Sequence, residues 1–538
     1  MMQRSAPIAV TFKHALIYSL SGMLEKAVGF IMLPFYAYML GAEAYGVLQM
    51  IEVVVTVLQI LAGYAMASAL NRFYFERKTE RQKHVLVSTS VVTMFVLTGL
   101  VCLPAFIFVR PIALLAFGKE GFEYCIFLGI LTFFSETTAV NAQTYVLQRQ
   151  KPVFFSILSF SRFSLGLALN IYLIIYLKLG VVGVLYSGLI TGTAFSVAIH
   201  LYTLISTGLH FSIDDAKAIL RYVLPLLPGH AATFVRSNTD RFVLRAYMGL
   251  AQLGVYSTVL KFAMLLGVVL HEPFMKIWSV KRMEIADSEE GAQIISRTVT
   301  LYLAFALFLG LLLSLELPLS IKLLTPKEFW ISGLIAFFAV TSRIGFCCYY
   351  HFYFGLLYGK ATAKISMVQG VSAVINFAIS ILFIKYYGIL GAYMAASVVY
   401  LVQCVVTHFM AQKYYRIEYE WKKIGMMTLS AMVLFLLIDR FSIKEFSMDY
   451  WLNDHVLPFF TNALRLLHFD VIKGGKLIAL LSDKFPIVVE GMIKAVLSLS
   501  FVWGLAVFGV IPRRVFSQVM NKSAQRLGLR RFTQSLAE

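Results

Sequence analysis

The chain has 538 residues, 59% of them hydrophobic and 14% charged, with a formal net charge of +19 and a mean hydropathy of +0.78. Soluble domains carry about 25% charged residues, so a soluble globule is excluded and an integral membrane protein is required. Nucleic acid is not expected as a partner despite the basic balance. The cations fall largely in loops between apolar segments and in a tail, RRVFSQVMNKSAQRLGLRR, that suits anionic lipid headgroups.

A bilayer crossing takes about 20 mostly apolar residues as a helix. The segments that qualify are 14–39, 45–70, 85–109, 122–147, 153–177, 181–206, 222–247, 253–278, 293–317, 329–357, 362–386, 389–411, 423–440 and 487–511. The expected fold is therefore all-α and polytopic, with about fourteen transmembrane helices. The first apolar run follows Arg4 and Lys13 and has no small-residue cleavage site, so it reads as an uncleaved helix. Lys and Arg concentrate in the N-terminal segment 1–13, in alternate loops, 71–84, 148–152, 207–221, 276–297, 359–364 and 412–424, and in the tail 512–538. The positive-inside rule then places both termini in the cytoplasm.

The chain repeats itself. LGAEAYGVLQM (40–50) matches MGLAQLGVYST (248–258), and LGVVGVLYSG (179–188) matches YGILGAYMAA (387–396). Gly41 pairs with Gly249, Gly46 with Gly254, Gly180 with Gly388 and Gly183 with Gly391, each 208 positions apart (249 − 41, 254 − 46, 388 − 180, 391 − 183). The expected domains are a six-helix half over 1–210, a second over 211–413, and an extension, 414–538, with two more helices. Six is even, so the halves enter from the same side and are parallel repeats, an arrangement of transporters that work by alternating access.

Apolar segments that carry charge are the places where function can reside, since a charge at a helix centre costs at least ~2.5–3.5 kcal/mol. Glu25, Lys26, Glu136, Arg236 and Arg343 fall near helix midplanes, and Arg162 in the inner half of its helix. Glu52, Asp240, Arg241, Arg245 and Lys261 lie towards the outside. Arg236 and Asp240 are four apart on one face, so a structural ion pair is the competing explanation for them. GLLYGKAT (355–362) has three residues between its glycines where a phosphate-binding loop has four. No metal or nucleophile motif appears, and the five cysteines lie in apolar segments without ligand spacing, so no enzyme activity, metal or cofactor is expected.

Together, LGAEAYGVLQMIE, LNRFYFERKTERQ, YVLQRQKP and YVLPLLPG…SNTDRFVLRAYMGLAQLGVYS resemble the polysaccharide-transport branch of the multidrug/oligosaccharidyl-lipid/polysaccharide exporter superfamily. The likeness covers about residues 10–413. It implies a V-shaped pair of six-helix bundles around a central cavity. It also implies a flippase of the bacterial inner membrane for undecaprenyl-diphosphate-linked oligosaccharides, with a polymerase among its assembly partners. On that basis Arg236, Arg241, Arg343, Lys261, Arg245, Lys26 and Arg162 are the expected contacts to the diphosphate, because Arg donates to phosphate through a planar fork. Glu25, Asp240, Glu52 and Glu136 are the candidates for coupling to protons or sodium. The alternatives are a multidrug-type exporter, for which an acidic cavity would be expected, and a membrane polymerase or glycosyltransferase, which the long outer segment 441–485 would suit.

Overall fold

The computed structural model describes residues 29–63, 65–440, 491, 494–501 and 505. Glu25, Lys26, the segment 441–485, most of 487–511 and the basic tail lie outside the described residues. Among those described the chain is helical and contains no strand. Among the described residues, ten helical stretches are long and apolar enough to cross a membrane. Three of them, Leu33–Glu76, Ile213–Ile285 and Thr362–Ala411, run for 44, 73 and 50 residues, more than one crossing needs.

In chain order the helices are α1 (Leu33–Leu61), α2 (Met66–Glu76), α3 (Glu80–Ile107), α4 (Val109–Phe117), α5 (Glu123–Gln148), α6 (Pro152–Ile171), α7 (Gly180–Thr207) and α8 (Ile213–Val223). They continue as α9 (Leu227–Leu266), α10 (Glu272–Ile285), α11 (Gly291–Leu324), α12 (Gly333–Phe352), α13 (Phe354–Tyr358), α14 (Thr362–Ala411) and α15 (Trp421–Arg440). Local chemistry sets many of the starts. Thr79 and Gln82 form a capping box at α3, each side chain bonded to the other's backbone N–H at 3.3 Å. Pro152 occupies the first turn of α6, where its missing N–H leaves no gap in the ladder. Inside the spans, hydroxyls return to their own helix, as Thr93 to the Thr89 carbonyl and Thr98 to that of Met94, both at 2.7 Å. Outward faces are apolar: Ile107, Ile205 and Ile277 are 76%, 78% and 76% exposed, as lipid contact permits and water does not favour.

Two helices were not foreseen as such. α4 is short, and α8 falls in what reads as an inner loop. α8 is amphipathic, capped by Ser212, with Asp214 and Asp215 in its first turn and Arg221 in its last. Its apolar face, Ile219 and Val223, joins a core with Met66, Leu70 and Leu86, while Arg77 pairs with Asp215.

The described residues form two compact units, one within 1–258 with 369–392 and the other within 259–368 with 393–538. In the second, Phe435 of α15 and Phe501 and Leu505 beyond it pack with Leu311 and Leu315 of α11. The internal repeat is visible in the backbone itself. Gly41 (φ 78°, ψ 175°) and Gly249 (φ 83°, ψ 179°) both adopt a conformation that is essentially restricted to glycine, and each breaks a long helix. Gly180 and Gly388 share φ 57°.

Within the first unit the repeat also makes a reciprocal contact. A Cβ on Gly46 would lie 1.9 Å from the Leu250 carbonyl oxygen, and one on Gly254 would lie 2.1 Å from that of Ala42. Residues 42 and 250, like 46 and 254, are 208 apart (250 − 42, 254 − 46). The two backbones therefore cross with local two-fold symmetry, and the missing side chains are what let them touch.

Candidate functional site

The first unit holds a polar cavity of 360 Å³ whose wall comes from α1, α6 and α7. Tyr36 donates to Asn170 Oδ1 at 3.1 Å, and Asn170 donates in turn to the Gly166 carbonyl at 2.8 Å. Ser187 donates to the same carbonyl at 3.2 Å, and Thr191 bonds back to Ser187 at 2.7 Å. Arg162 opens onto this cavity and forms an ion pair with Glu136 of α5. Gly192 leaves the room for that carboxylate, since a Cβ there would sit 3.1 Å from Glu136 Cγ. The guanidinium of Arg162 also lies over the Phe195 ring at 5.1 Å. Two residues assigned separate roles from sequence, a phosphate contact and an ion-coupling carboxylate, are thus direct partners.

Removing one member of a partly buried pair strands the other charge. Arg162→Met should therefore lower the yield of folded protein in the membrane, and Arg162→Met/Glu136→Gln should restore most of it, as read by size-exclusion chromatography in detergent. Equal yields for the single and double variants would separate the two roles again.

A second, larger cavity of 580 Å³ lies between α3, α5 and α7. Its wall is apolar apart from hydroxyls and His200, so it offers hydrocarbon and no fixed charge.

The charges of α9 are also placed. Asp240 accepts from the Tyr256 hydroxyl and from the Arg241 backbone N–H, the latter at 3.0 Å. The carbonyl of Arg236 accepts from Asn376 Nδ2 at 3.0 Å. Arg236 and Arg241 are both half-buried, and the Nε atom of Arg241 is buried without a hydrogen bond among the described residues. Arg245 serves the fold directly and donates to the Leu115 carbonyl at 2.6 Å. Its Nη1 would lie 2.7 Å from a Cβ on Gly118, the left-handed residue that ends α4. It thus caps that helix C-terminus, where a cation is favoured.

In the second unit Arg343 lies on α12, half-buried, 6.0 Å from the Phe346 ring centroid. Among the described residues neither Arg241 nor Arg343 forms an ion pair with a carboxylate. Lys261 is half-buried on α9, and Glu52 is exposed on α1.

Sequence reasoning missed Tyr36, Asn170 and Tyr256. An asparagine inside an apolar segment is a signal that was available for Asn170. The tyrosines carried none among 28.

Comparison with known proteins locates this architecture. A curated Lsg-locus protein (protein 1) of Haemophilus influenzae is 22% identical over 270 residues, 48% of this chain and 63% of that protein; the chain thus spans less than two thirds of the length of the curated relative it matches. Among solved structures, the lipid II flippase MurJ in an inward closed conformation superposes with a TM-score of 0.67 at 14% identity, covering 92% of this chain and 100% of that one. An inward-facing multidrug resistance MATE family transporter of the MOP superfamily superposes with a TM-score of 0.53 at 16% identity, covering 72% and 94%. The fold is thus the MurJ- and MATE-like helical fold, and the protein is a multi-pass membrane protein. The polysaccharide biosynthesis protein family model matches residues 11–279, half of the chain, and the chain belongs to that family.

Proposed function

We propose that the protein is a flippase that moves an undecaprenyl-diphosphate-linked oligosaccharide, the repeat unit of a surface polysaccharide, across the bacterial inner membrane by alternating access. The observation that carries this reading is the state of Arg241 and Arg343. Each is half-buried in a membrane helix of its own unit, and neither is neutralised by a described carboxylate. A cation kept in that setting is costly, and an anionic headgroup that arrives with each cycle offsets the cost. Arg236 belongs to the same helix as Arg241 and is assigned the same role. Arg162 and Arg245 are removed from the inner set of contacts, since Glu136 and the end of α4 already engage them. The family of polysaccharide biosynthesis proteins and the fold shared with a lipid II flippase support the substrate class.

A multidrug exporter of organic cations would be served by unpaired carboxylates, and the described charges of α9 and α12 run the other way. Deletion of the gene separates the readings. The expected phenotype is loss of the surface polysaccharide, with its lipid-linked repeat unit retained on the cytoplasmic leaflet and with drug susceptibility unchanged. Hypersensitivity to cationic drugs with normal polysaccharide would reverse the assignment.

The topology that goes with this function keeps 71–84, 276–297 and 512–538 in the cytoplasm. Single cysteines placed there, in a background without the five native ones, should resist a membrane-impermeant maleimide in intact spheroplasts and react after permeabilisation. Reaction before permeabilisation at any of the three would invert or break the arrangement.

A further inference from the structure

The second unit contains a buried basic cluster that the transport reading does not use. His271 and His351 are 7% and 1% exposed, and Arg282 is 1% exposed. Tyr302 of α11 bridges to the first of them, its hydroxyl 2.9 Å from His271 Nδ1. The Tyr302 ring lies against that of His351, with centroids 4.3 Å apart, and the two imidazoles are 6.3 Å apart. Arg282 donates to the Tyr350 carbonyl at 2.9 Å and lies over the Phe354 ring at 4.9 Å.

Both ring nitrogens of His351 are buried and have no hydrogen-bond partner among the described residues. A buried polar atom left unbonded costs about 1–3 kcal/mol, so its persistence calls for an explanation. His271 ends a π-helical turn, Gly267–His271, and Pro273 follows it. Proline has no N–H to give, and the Glu272 N–H reaches back to the Gly267 carbonyl instead. Such turns mark places where a helix changes register at small cost, and they recur at functional sites.

We propose that His271 and His351, with Tyr302 between them, form a binding site for one proton, and that its occupancy loosens the packing of α10 on α11 and α12. The proton arrives from water and adds to a free imidazole nitrogen; no bond is broken and no other reactant is needed. The groups that face the site are Glu272 and Arg282 from α10, Tyr302 from α11, and Cys347, Cys348 and Tyr350 from α12, with Arg343 acting on Cys347. Glu272 is the carboxylate acting on His271, and Arg282 is a fixed like charge acting on both imidazoles. With both rings neutral the cluster closes among Phe274, Phe346 and Tyr302. With one ring charged beside a guanidinium in a dry setting, water must enter or the helices must part. The site stands on this geometry alone. Its use in transport, as the step that couples a proton to the second unit's motion, rests on the function proposed above.

Trp278 reports on the site, because its ring lies 5.9 Å from Phe274, which lies 5.8 Å from His351. The full chain with its other four tryptophans replaced by phenylalanine leaves Trp278 as the sole indole. Its emission in detergent should show a one-proton transition as the pH is lowered through the range in which the protein stays folded. His351→Gln should abolish that transition. Arg282→Met, which removes the like charge, should raise its midpoint by about one pH unit. A flat emission profile in folded protein overturns the proposal. So does a transition that persists in His271→Gln/His351→Gln. If His351→Gln does not fold, His271→Gln and Arg282→Met decide the matter, and a midpoint unmoved by both overturns it. Translocation measured over the same pH range tests the coupling separately. A fluorescence transition with a pH-independent translocation rate leaves the proton site and removes its role in transport. A protein that titrates but moves no lipid-linked glycan fails the function proposed above, not the site.

Discussion

Gly46→Leu and Gly254→Leu are each expected to abolish export of the polysaccharide, and Gly46→Ala or Gly254→Ala to reduce it sharply. The cause is backbone contact, not loss of a functional group. The Cβ of an alanine at Gly46 would stand 1.9 Å from the Leu250 carbonyl oxygen, and one at Gly254 would stand 2.1 Å from that of Ala42. Neither neighbour is the end of a flexible side chain, so the two helices must separate. Overpacking of this kind costs ~1–3 kcal/mol, which corresponds to roughly 5–150-fold in the population of the closed crossing. Gly99→Ala is the matched control. A Cβ there meets nothing within 4 Å, and alanine in a helix is worth about 0.5–1 kcal/mol over glycine. Surface polysaccharide, normalised to folded transporter, is the readout. Normal export by Gly46→Leu/Gly254→Leu would mean that the crossing never has to close.

This crossing was legible in the sequence only in part. The spacing of 208 identified Gly46 and Gly254 as equivalents, as it did Gly41 and Gly249, which share one backbone conformation. Periodicity could not show that the equivalent glycines meet each other, because contact depends on how two helices cross. The helical spans were readable because a bilayer forces about 20 apolar residues per crossing, whereas α8 escaped because its charges read as a loop until its apolar face found Leu70 and Leu86. The charged positions were found for the same reason, since charge in an apolar run stands out. Their roles were not. Nothing in the spacing of Arg162 and Glu136, 26 apart, announces an ion pair, and Arg245 reads as a free cation until α4 ends beneath it. The histidine cluster was invisible for a related reason: His271 and His351 lie in different helices and share no motif.

The second large effect is expected at Arg236, Arg241 and Arg343. Lys keeps the charge and loses the planar fork, so transport should fall partially. Ala should lower it further, and Glu should lower it most, because a carboxylate repels the diphosphate. A buried hydrogen-bonded charge pair lost at a binding site costs 2–5 kcal/mol, so each Arg→Glu variant should lose at least about 30-fold. Arg245→Lys is predicted to differ, acting on folding and not on transport per folded molecule, since its side chain holds the Leu115 carbonyl. The ordering Lys, Ala, Glu is what separates headgroup binding from a purely structural charge. A structural Arg236–Asp240 pair would instead show recovery of folded protein when Asp240→Asn is added to Arg236→Ala.

The most direct test is translocation by the purified full chain in vesicles of anionic and zwitterionic phospholipid. The substrate is a fluorescently labelled polyprenyl-diphosphate oligosaccharide, and the signal is its accessibility to a membrane-impermeant quencher over time. The account predicts that wild-type protein equilibrates the labelled lipid between leaflets. It also predicts that Arg241→Glu/Arg343→Glu, equally well folded and inserted, leaves it where it was loaded. Wild-type vesicles that move no lipid-linked diphosphate, or a double variant that moves it at the wild-type rate, would contradict it.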